Sequence, residues 1–137
     1  MLADREDYFN GLPWHDSQLL GVTISASAEE EKQSVVLDLA FRAGREWRVT
    51  AATFRECTIV QLDLDLDGMR VCGHSINTAR CLRESPLKEQ LTRTKLKYEG
   101  NPLDDYYHFR IAMINPGGEL NIVAKDCQFF PVLTAES

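Results

Sequence analysis

Residues 62–68 read Leu-Asp-Leu-Asp-Leu-Asp-Gly, and two incompatible structures share this pattern. The leucines and aspartates alternate strictly, which is the period of a β-strand with one buried face. The same aspartates, followed by Gly68, also match the first half of a calcium-binding EF-hand loop. One interpretation gives a core strand with carboxylates facing water, and the other gives a metal site. The alternating residues are Leu62, Leu64 and Leu66, and Asp63, Asp65 and Asp67.

The residues around this heptapeptide favour the strand. An EF-hand loop that starts at Asp63 needs a bidentate carboxylate at its twelfth position, and that position is His74. The segment that leads in, from Cys57 to Leu62, is apolar and rich in β-branched residues, whereas an EF-hand needs a helix there. We therefore predict a strand over 58–66 that carries its aspartates on the outer face and binds no metal.

Six further segments are predicted to be strands. In the second of them the inner row is formed by Val35, Leu37, Leu39 and Phe41. The sequence Asn-Pro-Gly-Gly at 115–118 separates two apolar segments, which predicts a hairpin. Pro131 restricts the last segment to a sheet edge or a terminus, because proline cannot donate a ladder hydrogen bond. The segments are 19–26, 35–41, 47–54, 106–114, 119–125 and 127–133.

Two short helices are predicted as well. The first covers 4–10 and ends before a glycine and a proline. The second covers 86–93, because Ser85 and Pro86 resemble an N-cap followed by proline at the first helical position. The segment 76–82 fits either a strand or a short helix, and 96–99 fits a short strand.

These elements predict a mainly β (α+β) protein. Most of the strands are joined by tight turns, and the long helical crossovers of a parallel sheet are missing from the pattern. We expect an antiparallel sheet or sandwich of about seven strands with one or two short helices. No linker or repeat divides the chain, so residues 1–137 are predicted to form a single domain.

Charge and composition limit the classes of partner. The 137 residues carry a formal net charge of −6, which repels a nucleic-acid phosphate backbone and favours a basic protein partner. No apolar stretch approaches the ~20 residues that span a bilayer, and the acidic start has no secretory apolar region. We therefore expect a cytoplasmic protein that binds neither nucleic acid nor membrane. Four cysteines without a C-x-x-C pair give no reason to expect a disulfide framework or a cofactor.

The tetrapeptide Trp14-His15-Asp16-Ser17 groups residue types that hydrolases use. Neighbours in an extended chain point to opposite sides, whereas a catalytic triad converges from separate elements, so no catalytic residue is assigned. In the structural interpretation, Asp16 or Ser17 bonds to nearby backbone N–H groups and Trp14 anchors the loop in the core. In the functional interpretation, Trp14, His15 and Asp16 form a binding pocket together with His108.

The segment 11–19, Gly-Leu-Pro-Trp-His-Asp-Ser-Gln-Leu, resembles the opening of a group of small, mostly-β bacterial domains of unknown function. Their shared pattern is aromatic-His-Asp-(Ser/Ala)-x-(Leu/Val), and they include predicted toxin-immunity proteins, immunity protein family 50. The strand patterning of 35–39 and 47–57 fits the same outline, so the resemblance covers the first half of the chain. It implies a cytoplasmic β-rich protein that binds another protein, and it assigns no catalytic residue.

Two functions follow from these observations. The first is a non-enzymatic interaction protein, an immunity-like inhibitor that docks on a basic partner through the acidic row of Asp63, Asp65 and Asp67. The alternative is a small enzyme or ligand-binding protein whose pocket surrounds Trp14. Either function fits a monomer or a homodimer formed through edge strands.

Overall fold

The computed structural model describes residues 5–27, 32–64, 74–98, 105–114 and 117–132. These residues form eight strands and two helices. In chain order the elements are α1 (Arg5–Asn10), β1 (Gln18–Ser27), β2 (Lys32–Ala43), β3 (Glu46–Arg55), β4 (Ile59–Asp63), β5 (His74–Leu82), α2 (Pro86–Tyr98), β6 (Tyr107–Ile114), β7 (Gly118–Ala124) and β8 (Asp126–Phe130). Neither described helix is long and apolar enough to cross a membrane.

All eight strands belong to one antiparallel sheet with the order β4-β7-β6-β5-β1-β2-β3-β8. The predicted class, a β-rich antiparallel sheet with two short helices, is confirmed. The structure has one strand more than the seven predicted. The additional strand is β5, which includes the segment 76–82, whose sequence pattern fits either a strand or a short helix. Its alternation is interrupted because the pairing with β6 shifts between Ile76 and Thr78. Such a bulge removes the two-residue period that identifies a strand in a sequence.

The sheet bends so that its two halves face each other. Among the described residues, β1 and β5 join the halves through two residue pairs, Gln18 with Ser75 and Leu19 with His74. The rings of Phe54 in β3 and Phe109 in β6 lie 4.9 Å apart, although three strands separate β3 from β6 in the sheet. The hydrophobic core therefore lies between β4-β7-β6-β5 and β1-β2-β3-β8.

Helix α1 and the loop after it fill the space where β1 and β5 diverge. Phe9 from this helix contacts the rings of Trp14 and Phe109, with centroids 4.6 and 5.1 Å away. The side-chain amide of Asn10 accepts a hydrogen bond from the N–H of Cys81 at 2.7 Å and donates to its carbonyl at 3.2 Å. Asn10 thus bonds to the β5 backbone as a neighbouring strand would, which satisfies groups that would otherwise stay unpaired.

The inner rows of the sheet follow the predicted alternation. Val35, Leu37, Leu39 and Phe41 of β2 are all buried. The short-strand prediction is wrong for residues 96–98, which are the last turn of α2, and Glu99 lies outside the described residues. Leucine and lysine favour a helix, and neither glycine nor proline interrupts the sequence between Pro86 and Tyr98.

The heptapeptide 62–68 is described only in its first three residues. The strand prediction is confirmed for Ile59–Asp63, which pairs with β7 at the sheet edge. Leu62 lies opposite the buried Leu120 but is itself 40% exposed, so the predicted burial of its side chain is wrong, and the side chain of Asp63 is exposed. Asp65 and Asp67 lie outside the described residues.

Candidate functional site

Trp14 is a core residue. Its side chain is buried, and its indole N–H donates a hydrogen bond of 2.7 Å to the carbonyl of Phe9. Its ring also packs against Phe41 of β2, at 5.0 Å between centroids. A buried indole needs a hydrogen-bond partner, and the last turn of α1 provides it. Trp14 therefore ties α1 and the loop to β2.

His15 and Asp16 face solvent instead. The imidazole Nε2 of His15 lies 3.7 Å from Oδ1 of Asp16, and its Nδ1 lies 3.3 Å from the carbonyl of Asn77. Asp16 adopts a left-handed backbone with φ of 67°, a conformation that aspartate tolerates better than most residues. Its N–H donates to the carbonyl of Ile76 in β5. The structure thus brings His15 and Asp16 together on the surface but does not bring Trp14 to the same side.

His108 is buried although it lies on the outer face of β6, because α2 begins beside it. Its Nδ1 lies 2.8 Å from Oγ of Ser85, and its Nε2 lies 2.7 Å from Oδ1 of Asn121. The amide nitrogen of Asn121 donates to Glu119 at 3.1 Å, which leaves Oδ1 as the acceptor facing the ring. In this network Nε2 of a neutral His108 carries the hydrogen, and Nδ1 accepts the hydrogen of the Ser85 hydroxyl.

Ser85 also starts α2. Its Oγ accepts a hydrogen bond of 3.1 Å from the N–H of Lys88, and its carbonyl accepts one from Glu89, as an N-cap does. The Lys88 side chain is buried too, and its ammonium donates to the carbonyl of Arg83. Ser85 therefore connects the first turn of α2 to the outer face of the sheet through His108.

The outer end of this network is an ion pair. Nε of Arg110 lies 2.6 Å from Oε1 of Glu119. The hydrogen bond from Arg110 lowers the pKa of Glu119 below its usual range, although partial desolvation opposes this. The same hydrogen bond raises the pKa of the Arg110 guanidinium. Glu119 lies directly across from Asp63 in the β4–β7 pair, so Arg110 moderates the negative charge at this edge.

A serine hydroxyl that donates to a histidine is the arrangement of an activated nucleophile. Here the hydroxyl also caps a helix and is buried, and Asn121 engages the far ring nitrogen. These contacts satisfy every side-chain polar atom of the Ser85–His108 pair, so the pair fastens α2 to the sheet. Sequence reasoning identified the Ser85 cap, and it named His108 only as a candidate pocket residue. It missed their contact, because 23 residues separate them.

A larger feature that sequence reasoning missed is an apolar surface on the outer face of β3 and the adjoining edge strand. Ala51 pairs with Phe130, which places Phe130 in the same outward row as Val49 and Trp47. The hydroxyl of Thr50 donates to the carbonyl of Pro131 at 2.7 Å and keeps the chain beyond β8 next to β3. We call this the β3–β8 surface. Its large side chains and their exposed fractions are Phe130 (83%), Val132 (66%), Val49 (59%) and Trp47 (45%).

Charges of both signs lie around this surface. Arg42 pairs with Trp47 across β2 and β3, and its guanidinium carbon lies 5.9 Å from the centre of the indole. Arg45 is exposed in the hairpin turn, whereas Arg48 pairs with the buried Phe41 and so lies on the opposite face of β3 from Trp47. On the outward face, Asp38 pairs with Ala51, and Asp126 lies in the same row of β8 as Phe130.

Comparison with protein-family models, with curated proteins and with solved structures finds no match for this chain. The relation to immunity protein family 50 therefore stays a prediction from the segment 11–19. Among the described residues, no group of three or more histidine, cysteine, aspartate or glutamate side chains is placed to hold a metal ion.

Proposed function

We propose that this chain is a non-enzymatic protein-interaction module, an immunity-like inhibitor that acts by covering part of its partner. The observation that carries the proposal is the β3–β8 surface. Single exposed apolar residues are ordinary on protein surfaces, whereas a contiguous group marks an interaction site. Here Trp47 and Val49 lie in the outward row of β3, Phe130 lies beside Ala51 of the same row, and the exposed Val132 follows two residues after Phe130.

The composition of the surface fits a binding interface. Tryptophan and arginine are enriched among the residues that dominate interface energies, and aromatic side chains are enriched at interface centres. Trp47 and Arg42 already contact each other, so part of the surface is ordered before a partner arrives. A preordered contact loses less conformational entropy on binding.

The acidic row is a second docking face within the same proposal. Asp63 is exposed at the end of β4, where it could attract a basic partner. Asp65 and Asp67 extend the row in the sequence. The pocket role of His15 and Asp16, with its enzymatic alternative, stays a prediction.

Matched charge insertions test the proposal. Val49→Asp places a carboxylate within the β3–β8 surface, and Ile24→Asp places one in β1 at nearly the same exposure, 57% against 59%. Each protein is immobilised and used to capture partners from a lysate of the source cell. We expect a partner that the wild type and Ile24→Asp retain and that Val49→Asp loses, with circular dichroism confirming that all three are folded. Equal recovery by both variants contradicts the proposed interface.

A further inference from the structure

We propose that the outer face of β4-β7-β6-β5 binds the same face of a second copy of this chain, with Arg80 of each copy paired to Asp63 of the other. The inference goes beyond the proposed function, because this face lies on the other side of the core from the β3–β8 surface. Three observations carry it: two pairs of like charges on neighbouring strands, one ion pair between them and a register that relates them by a twofold axis.

Charges of the same sign lie directly opposite each other at two places on this face. Arg80 of β5 pairs with Arg110 of β6, and Asp63 of β4 pairs with Glu119 of β7. The arginines alternate with buried core residues, and Glu119 precedes the buried Leu120, so all four charged side chains lie on the outer face. Like charges that face each other across two strands destabilise a sheet.

The ion pair between Arg110 and Glu119, at 2.6 Å, compensates only the two inner charges. In the described part of the chain, neither Arg80 nor Asp63 forms an ion pair. These two cannot pair within one molecule, since three strand spacings of about 4.8 Å separate β5 from β4. A positive charge therefore remains on β5 and a negative charge on β4, the two outer strands of this half.

The register relates the four charges by symmetry. Arg80 and Arg110 lie in one row across the strands, and Glu119 and Asp63 lie in the row two residues further along. The point halfway between Arg80 and Asp63 therefore coincides with the point halfway between Arg110 and Glu119. A second copy can lie face to face with the first, about a twofold axis that runs parallel to the sheet above this point. Its Asp63 then meets Arg80, and its Arg80 meets Asp63.

This arrangement makes the same contact twice, as twofold interfaces do. Ala112 lies between the two rows on β6 and is small, so it lets the faces approach, and Ile114 of the same outward row is 40% exposed. Charge complementarity determines the partner and its orientation more than it determines affinity. We therefore expect a weak dimer, which leaves both β3–β8 surfaces exposed and able to bind two copies of a partner.

Charge reversal on each side of the contact tests the inference. Sedimentation velocity at about 1–200 µM should show a concentration-dependent dimer of the wild type. Arg80→Glu and Asp63→Lys each bring like charges together at both contacts, so each should weaken the dimer at least on the order of tenfold. An equimolar mixture of the two variants should dimerise again. In the mixed dimer the new glutamate faces the new lysine, and the unchanged Arg80 faces the unchanged Asp63.

Arg45→Glu and Asp38→Lys are matched controls, because they make the same charge changes at exposed positions on the other half of the sheet. They should leave the dimer unchanged, whereas high salt should weaken it. A wild type that stays monomeric, or a dimer that neither charge reversal weakens more than its control, overturns the inference. So does a mixture that fails to restore the dimer.

The proposed function fails or stands separately. Loss of partner capture by Val49→Asp concerns the β3–β8 surface, and that variant should dimerise as the wild type does. If Val49→Asp and Ile24→Asp capture a partner equally while the mixture of charge-reversed variants dimerises, the docking surface is wrong and the dimer stands.

Discussion

Replacing Ser85 with alanine tests the contact between α2 and the sheet. The change removes the N-cap that the Lys88 N–H uses, which costs about 1 kcal/mol. It also leaves Nδ1 of His108 without a donor in a buried position, which costs about 1–3 kcal/mol. The expected loss in the free energy of unfolding is therefore about 2–4 kcal/mol. Urea unfolding followed by circular dichroism would show a midpoint lower by roughly 1–2 M.

A double-mutant cycle separates the two contributions. His108→Leu removes the ring nitrogen that accepts the hydrogen bond from Ser85. In that background, Ser85→Ala should lower the free energy of unfolding only by the contribution of the N-cap, about 1 kcal/mol. Ser85→Gly keeps most of the capping, because glycine is tolerated at the N-cap, yet still lacks the hydroxyl. If Ser85→Ala lowers the free energy of unfolding by the same amount in the wild type and in His108→Leu, the coupling between the helix and the sheet is refuted.

Further predictions concern the loop, the ion pair and one buried thiol. Trp14→Phe should cost about 1–3 kcal/mol in urea unfolding, because it removes the buried hydrogen bond from the indole to the Phe9 carbonyl and leaves a smaller ring in the core, whereas His15→Ala should change stability by less than about 0.5 kcal/mol because its side chain is exposed. Since Arg110 lowers the pKa of Glu119, this carboxylate stabilises the fold above its ordinary pKa of 4.5, and the stabilisation is lost as the pH falls below that value. Glu119→Gln should therefore lose less stability than the wild type on acidification, measured by thermal melts. Burial raises the pKa of Cys57 from 9.0 to about 11, so its contribution to stability is present below pH 9 and is lost as the pH rises towards 11. Peptide mapping after iodoacetamide treatment at pH 9 should find Cys57 modified more slowly in the folded than in the unfolded protein.

Local patterns were enough to predict much of the sheet. The β2 inner row from Val35 to Phe41 is buried because alternation directly encodes which residues share a face. Ser85 and Pro86 located the start of α2 because a cap and a first-turn proline act within a few residues. The β5 strand was ambiguous because a bulge interrupts its period.

The β3–β8 surface depends on long-range pairing, which a local pattern does not specify. Alternation divides β3 into two rows, but it does not say that the row of Trp47 and Val49 faces out. Nor does it say that Phe130 lies beside Ala51, because that pairing joins segments nearly eighty positions apart. In the same way, His108 is buried only because α2 begins beside it. When one element supplies the polar residues of a site and another element buries them, neither segment alone has a sequence pattern that reveals the site.

Photo-crosslinking tests the central claim, that the β3–β8 surface is the docking site, most directly. A benzophenone amino acid is placed at Phe130, a control protein carries it at Ile24, and a third protein carries it at Asp63 of the acidic row, both exposed elsewhere on the molecule. After irradiation with source-cell extract, we predict a covalent adduct with one partner from position 130 and none from position 24. An adduct confined to position 63 would show that the partner docks on the acidic row instead. Absence of any specific adduct at position 130 would contradict the account.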